Sequence, residues 1–197
     1  MLYNNNNLNI TKIASKNENR PELTGVFFKS DKTVATDTFR LIEMSTPSNV
    51  KPEDYPKLPS GKTAMRGCKP FIVSAKELSK IKIPNNKTLP IVNHLAIGHV
   101  DDQRVELLTT DLETEQVKSL RRIDGNFPDY EKLFPVDKPI AEVELNADYL
   151  SELLNIMGKL NNLKSVKIKF HGPDKPLVLE ASGPDQKARG MLMLLRK

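Results

Sequence analysis

Cysteine is nearly missing from this chain of 197 residues. Cys68 stands alone, so no internal disulfide is available, and a reducing cytoplasm is the expected location. Long apolar runs are missing too. No stretch of about 18 apolar residues exists to span a bilayer, and MLYNNNNLNI at the start has neither the basic opening nor the apolar centre of a signal peptide. No membrane partner is expected. Neither sign of charge dominates: 30 Lys and Arg stand against 25 Asp and Glu, which permits a polyanion as partner without requiring one.

Catalytic signatures are equally scarce. His94, His99 and His171 show no metal-ligand spacing with one another or with Cys68, and no nucleophile is paired with a base. Ser60-Gly61-Lys62-Thr63 resembles the end of a phosphate loop, but such a loop needs glycine five residues before Gly61, where the chain has Pro56. Asp101 and Asp102 fall in a turn. Asp37 and Asp129 are the remaining candidate metal ligands, and both lie inside motifs with another explanation, given below. The expectation is no enzyme, no catalytic residue, no metal and no cofactor.

What is present is ordinary for a globular protein, with 38% hydrophobic and 28% charged residues. The length suits either one large domain or one and a half to two modest ones. One short pattern occurs three times: an aliphatic residue, a helix-capping residue, and an aliphatic residue four places after the cap. The copies are Leu8-Asn9-Ile10-Thr11-Lys12-Ile13, Val73-Ser74-Ala75-Lys76-Glu77-Leu78 and Leu145-Asn146-Ala147-Asp148-Tyr149-Leu150. Asn9, Ser74 and Asn146 are each suited to accept the free amides of a first helical turn, so each copy reads as strand into helix.

Strand-like segments follow each helix: Leu23 to Lys29 and Thr33 to Met44; then Leu89 to Val100, Arg104 to Thr110 and Glu115 to Ile123; then Ser165 to His171, Leu177 to Ala181 and Ala188 to Arg196. Pro47 to Pro70, rich in Pro, Lys and Ser, is expected to be a disordered loop, and Asn4 to Asn7 to be frayed.

The segment Arg121 to Pro135, RRIDGNFPDYEKLFP, reads as a joint between modules. Gly125 can take a positive φ, Pro128 and Pro135 deny donors to any continuing sheet, and Phe127, Tyr130, Leu133 and Phe134 make the joint too apolar for a free tether. On the helices, Lys12 and Lys16 stand opposite Ile10, Ile13 and Ala14, and Lys76 and Lys80 stand off Leu78 and Ile81. Outward lysines of this kind suit a polyanion, and they equally suit ordinary solvation. The third helix is less basic, with Asp148 and Glu152 ahead of Lys159 and Lys164.

Several stretches resemble the bacterial sliding clamp, the beta subunit of DNA polymerase III. NRPELTGVFF with VATDTFRLIEM, from Asn19 to Met44, resembles the start of that family's middle domain, and RRIDGNFPDYEKLFP resembles its end and the link to the third domain. VELNADYLSELLNIM and the terminal MLMLLRK resemble the second half of the third domain.

The resemblance covers nearly the whole chain. It implies an α+β processivity fold of repeated β-α-β-strand units, with helices on one face of antiparallel sheets. It places a clamp domain of two units at 1–135 and a half domain at 136–197.

The function implied is that of a non-enzymatic processivity factor that encircles double-stranded DNA and tethers the replicative polymerase. Lys12, Lys16, Asn17, Arg20, Lys76, Lys80 and Lys159 would meet DNA, touching phosphate without reading bases so that the ring slides. A pocket for peptide tails of polymerase and other clamp-binding proteins would use Thr36, Phe39, Arg40 and Leu41, then Pro128, Lys132 and Leu133, then Met191, Met193, Leu194 and Arg196. The same residues also suit a plain core sealing two modules. A clamp loader and a homo-oligomer are the other implied partners.

The chain departs from the family in two ways. Its ending is Met193-Leu194-Leu195-Arg196 where the family has Met-Pro-Met-Arg, which reshapes the tail pocket. The family's first domain and half of its third are missing. If a ring needs about twelve units, about four such chains are required, with the lone third units of two chains pairing. The alternative is a shortened relative that binds tails without enclosing DNA, as an adaptor or regulator.

Overall fold

Short runs rich in β-branched and aromatic residues, GVFF at 25–28, KTVAT at 32–36 and FIVS at 71–74, form strands because alternate side chains can be buried on a pleated surface. The computed structural model describes residues 1–195 and divides into two units, Met1–Tyr130 and Glu131–Lys197. In the first unit, β1 (Leu2–Tyr3), α1 (Asn5–Asn9), β2 (Gly25–Phe28), β3 (Lys32–Thr36) and β4 (Leu41–Ser45) make one repeat. A second repeat follows as β5 (Phe71–Ser74), α2 (Ala75–Leu78), β6 (Leu95–Val100), β7 (Arg104–Thr110) and β8 (Glu115–Arg121).

The repeats are interlocked. The two sheets run β4-β3-β2-β5 and β1-β6-β7-β8, so each takes its fourth strand from the front of the other repeat. Val73 faces Val26 and Phe71 faces Phe28 across β5 and β2, while Tyr3 faces Leu95 across β1 and β6. All six side chains are buried. Phe28 stacks on Phe71 at 5.0 Å and meets the edge of Tyr3 at 4.9 Å, so the leading strands seal one common core.

The first copy of the repeat is displaced from where its pattern placed it. Leu8 to Ile10 is not a strand; the strand is Leu2–Tyr3, and Asn4 is the cap, its Oδ1 accepting from the amides of Asn6 and Asn7 at 3.0 and 3.3 Å. Asn9 lies inside the helix, and Ser74 makes no side-chain cap bond, whereas Asn146 caps as expected. Asn4 to Asn7 is not frayed. The Asn7 side chain is wholly buried and donates to Thr33 Oγ1 at 3.1 Å, Ser45 O at 3.0 Å and Met44 O at 3.2 Å, tying α1 to two strands.

Two further expectations change. Thr33 to Met44 is a hairpin, because Asp37 turns the chain by accepting from the amides of Phe39 and Arg40, both at 3.0 Å. The segment Pro47 to Pro70 is held in place: Tyr55 and Leu58 are buried with Leu2, Ala96 and Leu108 on the outer side of the β6–β7 sheet, and the Met65 amide donates to Ile97 O at 2.7 Å. Burial raises the Tyr55 phenol pKa to about 12. The joint packs in its first part only: Gly125 is at φ +131°, Phe127 stacks on Phe27 at 4.8 Å and Lys29 lies over the Tyr130 ring, whereas Leu133 and Phe134 are exposed.

The second unit holds α3 (Ala147–Met157) and one sheet of order β11-β10-β9, made of β9 (Lys167–Lys169), β10 (Leu177–Ser182) and β11 (Lys187–Leu192). Leu150, Leu153, Leu154 and Met157, spaced as one helical face, pack on Leu177, Leu179 and Leu192. Among the described residues, no helix is long and apolar enough to cross a membrane.

Candidate functional site

Ile10 and Ala14 are buried in the core of the first unit, and this turns the intervening Lys12 and the following Lys16 outward from the 3-10 turn Ile10–Ile13 and its continuation. Lys76 stands exposed on α2 between buried Ala75 and Leu78. The three lysines come from different repeats yet line one groove of about 680 Å³, together with Thr11, Ser15, Thr24, Ser74 and Ser79. Glu18 is the one carboxylate at its rim. A cleft with three ammonium groups and several hydroxyls is suited to phosphate oxygens and carries no planar, base-reading fork. The other residues expected beside DNA are placed differently. Lys80 forms an ion pair with Glu77 at 2.6 Å, and Lys159 is exposed on the turn after α3, in the second unit.

Asn17 and Arg20 join Lys16 around a neighbouring hollow of about 450 Å³, whose other walls are Ala14, Leu23 and the turn Asp37 to Arg40. Phe39, at 95% exposure, is presented to solvent almost completely. The turn beneath it is rigidly built: Arg40 Nε donates to Asp37 Oδ2 at 2.9 Å, and Thr36 Oγ1 donates to Arg40 O at 2.9 Å. The Arg40 guanidinium, with the amides of Arg40 and Phe39, holds the Asp37 carboxyl below its usual range. Asp37 is therefore spent on shaping the turn, a role sufficient to explain it without a metal. An exposed Phe39 beside a fixed arginine suits an apolar side chain carried by a peptide. Leu23 was not among the expected pocket residues. It reads in the sequence as the first residue of a strand, and the 3-10 turn Pro21–Leu23 turns it into the core beneath this hollow, at 1% exposure.

Of the remaining expected pocket residues, Leu41 and Pro128 are half-buried in the first unit. Lys132, Leu133, Met191 and Met193 are exposed in the second unit, while Leu194 packs on that unit's apolar core. Arg196 lies outside the described residues. Lys62 of the phosphate-loop-like turn pairs with Glu106 at 2.6 Å, and the Ser60 amide donates to Glu115, so this turn braces the loop on the sheet. Among the described residues, no three His, Cys, Asp or Glu side chains gather to hold a metal.

No family model matches the sequence, and no curated protein matches it. Solved structures do. The chain is similar to the DNA polymerase III beta chain of Streptococcus pneumoniae at 18% identity and a TM-score of 0.65, over 100% of this chain and 49% of that one. The beta subunit of Streptococcus pyogenes gives 17%, 0.66, 100% and 50%. The Bartonella birtlesii sliding clamp bound to griselimycin gives 20%, 0.58, 97% and 49%. The likeness at this identity is one of fold, and the chain spans about half the length of the structures it matches. It carries the sliding-clamp fold of the bacterial DNA polymerase III beta subunit.

Proposed function

We propose that the chain is a non-enzymatic processivity factor of DNA replication, which holds duplex DNA by sequence-independent phosphate contacts and receives a peptide tail of the polymerase. The observation that carries this reading is the convergence of Lys12, Lys16 and Lys76 on one groove, in a chain with the clamp fold. Lysines of two interlocked repeats are brought together by the fold and not by sequence proximity, which distinguishes the groove from scattered solvation. The hollow beside Phe39 and Arg40 is the proposed tail-docking surface of the first unit. Met191 and Met193 are exposed, flexible apolar side chains of the second unit, each suited by itself to an apolar tail.

Substituting Lys12→Glu together with Lys76→Glu tests the groove. Binding to a short duplex, measured by fluorescence anisotropy from low to moderate salt, is expected to weaken by roughly tenfold or more, with the salt slope reduced by about two. Unchanged binding and slope, in a variant with the wild-type circular dichroism spectrum, would remove this groove from the DNA surface.

A further inference from the structure

The first unit shows how these repeats complete a sheet, and the second unit stops one strand short. In the first unit β2 and β6 each have two neighbours: the following strand of their own repeat, and the leading strand of the other repeat. Their counterpart β9 has only β10 among the described residues. The third repeat nevertheless has its leading segment, residues 141–146, in place ahead of α3. Its position matches β5: the Leu195 amide donates to Glu144 O at 2.8 Å, as the Ile123 amide donates to Ile72 O at 2.9 Å. Glu144 and Ile72 each stand two residues before their cap, Asn146 and Ser74. Among the described residues, no strand pairs with the side of this segment that β5 turns to β2.

The repeats also give the missing register. The closing pairs of the three hairpins, Thr36 with Leu41, Thr110 with Glu115 and Ser182 with Lys187, each enclose four residues, so these positions correspond. Two residues earlier stand Val34, Leu108 and Glu180, which pair with Phe27, Ala96 and Lys167. Phe27 meets Ile72 and Ala96 meets Leu2, in both cases the residue two before a cap. Lys167 therefore belongs opposite a Glu144. The neighbouring pairs are then Val166 with Leu145, Ile168 with Val143, and Lys169 with Glu142.

Every one of these pairs is complementary. Two aliphatic pairs fall at the positions that hold Val26 with Val73 and Phe28 with Phe71 in the first unit, and two Lys–Glu pairs fall on the opposite face. Ile168 and Val143 are 50% and 42% exposed, whereas their counterparts Phe28 and Phe71 are buried. One unit thus carries both an alternating acidic donor segment and an alternating basic acceptor edge, the self-complementarity that a two-fold contact requires.

We propose that the second unit pairs with the same unit of a second copy of this chain, each lending residues 142–145 to the open edge of the other's β9, antiparallel, with Glu144 opposite Lys167 and Glu142 opposite Lys169. The pair rebuilds the eight-stranded arrangement of the first unit out of two half domains and closes two sheet edges that otherwise invite indiscriminate pairing. The proposal rests on the repeats and stands independently of DNA binding.

Two charge-reversed full chains test it by sedimentation velocity across a wide concentration range. One carries Lys167→Glu and Lys169→Glu, the other Glu142→Lys and Glu144→Lys. The wild type is expected to dimerise, each variant alone to dissociate with a constant raised at least about tenfold by like charges directly opposed at both edges. Their equimolar mixture is expected to form a heterodimer, because both edges are again matched. A wild type that stays monomeric throughout would overturn the proposal. So would variants that associate as the wild type does, or a mixture that fails to recover association.

Discussion

Arg40 shows how much one residue's role depends on the turn that carries it. Its guanidinium is half used, Nε going to Asp37, and its backbone carbonyl accepts from Thr36, so the side chain is aimed before any ligand arrives. Arg40→Ala and Met193→Ala are each expected to weaken a Leu- and Phe-containing polymerase tail by about tenfold, the cost of truncating one well-placed anchor. Calorimetric titration with a synthetic tail measures this, and unaltered affinity in both variants would move the pocket elsewhere. Arg40 was singled out in the sequence by the resemblance of VATDTFRL to the clamp family, and its proposed role rests on that. Asn7 was not. In a run of four asparagines it looks solvated, yet its amide bridges β3 and β4 as a backbone group would, a use that composition cannot distinguish from a polar tail.

At the scale of elements, periodicity located most strands and mistook the register of one repeat. Leu8, Ile10 and Ile13 imitate the strand-cap-helix pattern because a 3-10 turn follows α1 directly and also buries apolar residues at short spacing. The true cap, Asn4, stands 70 residues before Ser74, close to the 72 between Ser74 and Asn146, so the corrected repeat is the more regular one.

The segment Pro47 to Pro70 fails for a different reason. Its proline and lysine content resembles a flexible loop, and its apolar anchors, Tyr55 and Leu58, are too few to show as a period, while the bonds of Ser60, Lys62 and Met65 to the sheet leave no mark in composition. Tyr55→Ala is therefore expected to cost about 3–5 kcal/mol by emptying that cluster, and to free the segment. Urea denaturation gives the first quantity. Limited proteolysis checks the second, with new cleavage expected between residues 47 and 70; a cleavage pattern like the wild type's would mean the loop is held by other contacts.

For the whole molecule, the interlocking that seals the first unit has no counterpart within the second among the described residues, and the proposed pairing of two chains would link assembly to the proposed function. The α+β clamp fold was legible because the repeat and the Arg121 to Pro135 joint have strong local signals. The exchange of leading strands between repeats was not, since β1 pairs with β6 across more than ninety residues and such pairing leaves no local mark.

Phosphate contact alone gives binding that salt releases, whereas enclosure gives retention that only a free DNA end relieves. The chain with Lys167→Glu and Lys169→Glu keeps Lys12, Lys16 and Lys76, so its affinity for a short duplex is expected to match the wild type. Two paired chains carry six repeats, half of the about twelve a ring needs, so enclosure requires two such dimers to join; if they do, the wild type assembled in the presence of circular DNA and washed with high salt on a sizing column is expected to stay with the circle and to leave after the circle is cut once. The variant alone is expected to wash off, and its mixture with the Glu142→Lys, Glu144→Lys chain to be retained again. Wild-type retention that is indifferent to cutting would mean that the protein grips the phosphate backbone without surrounding it.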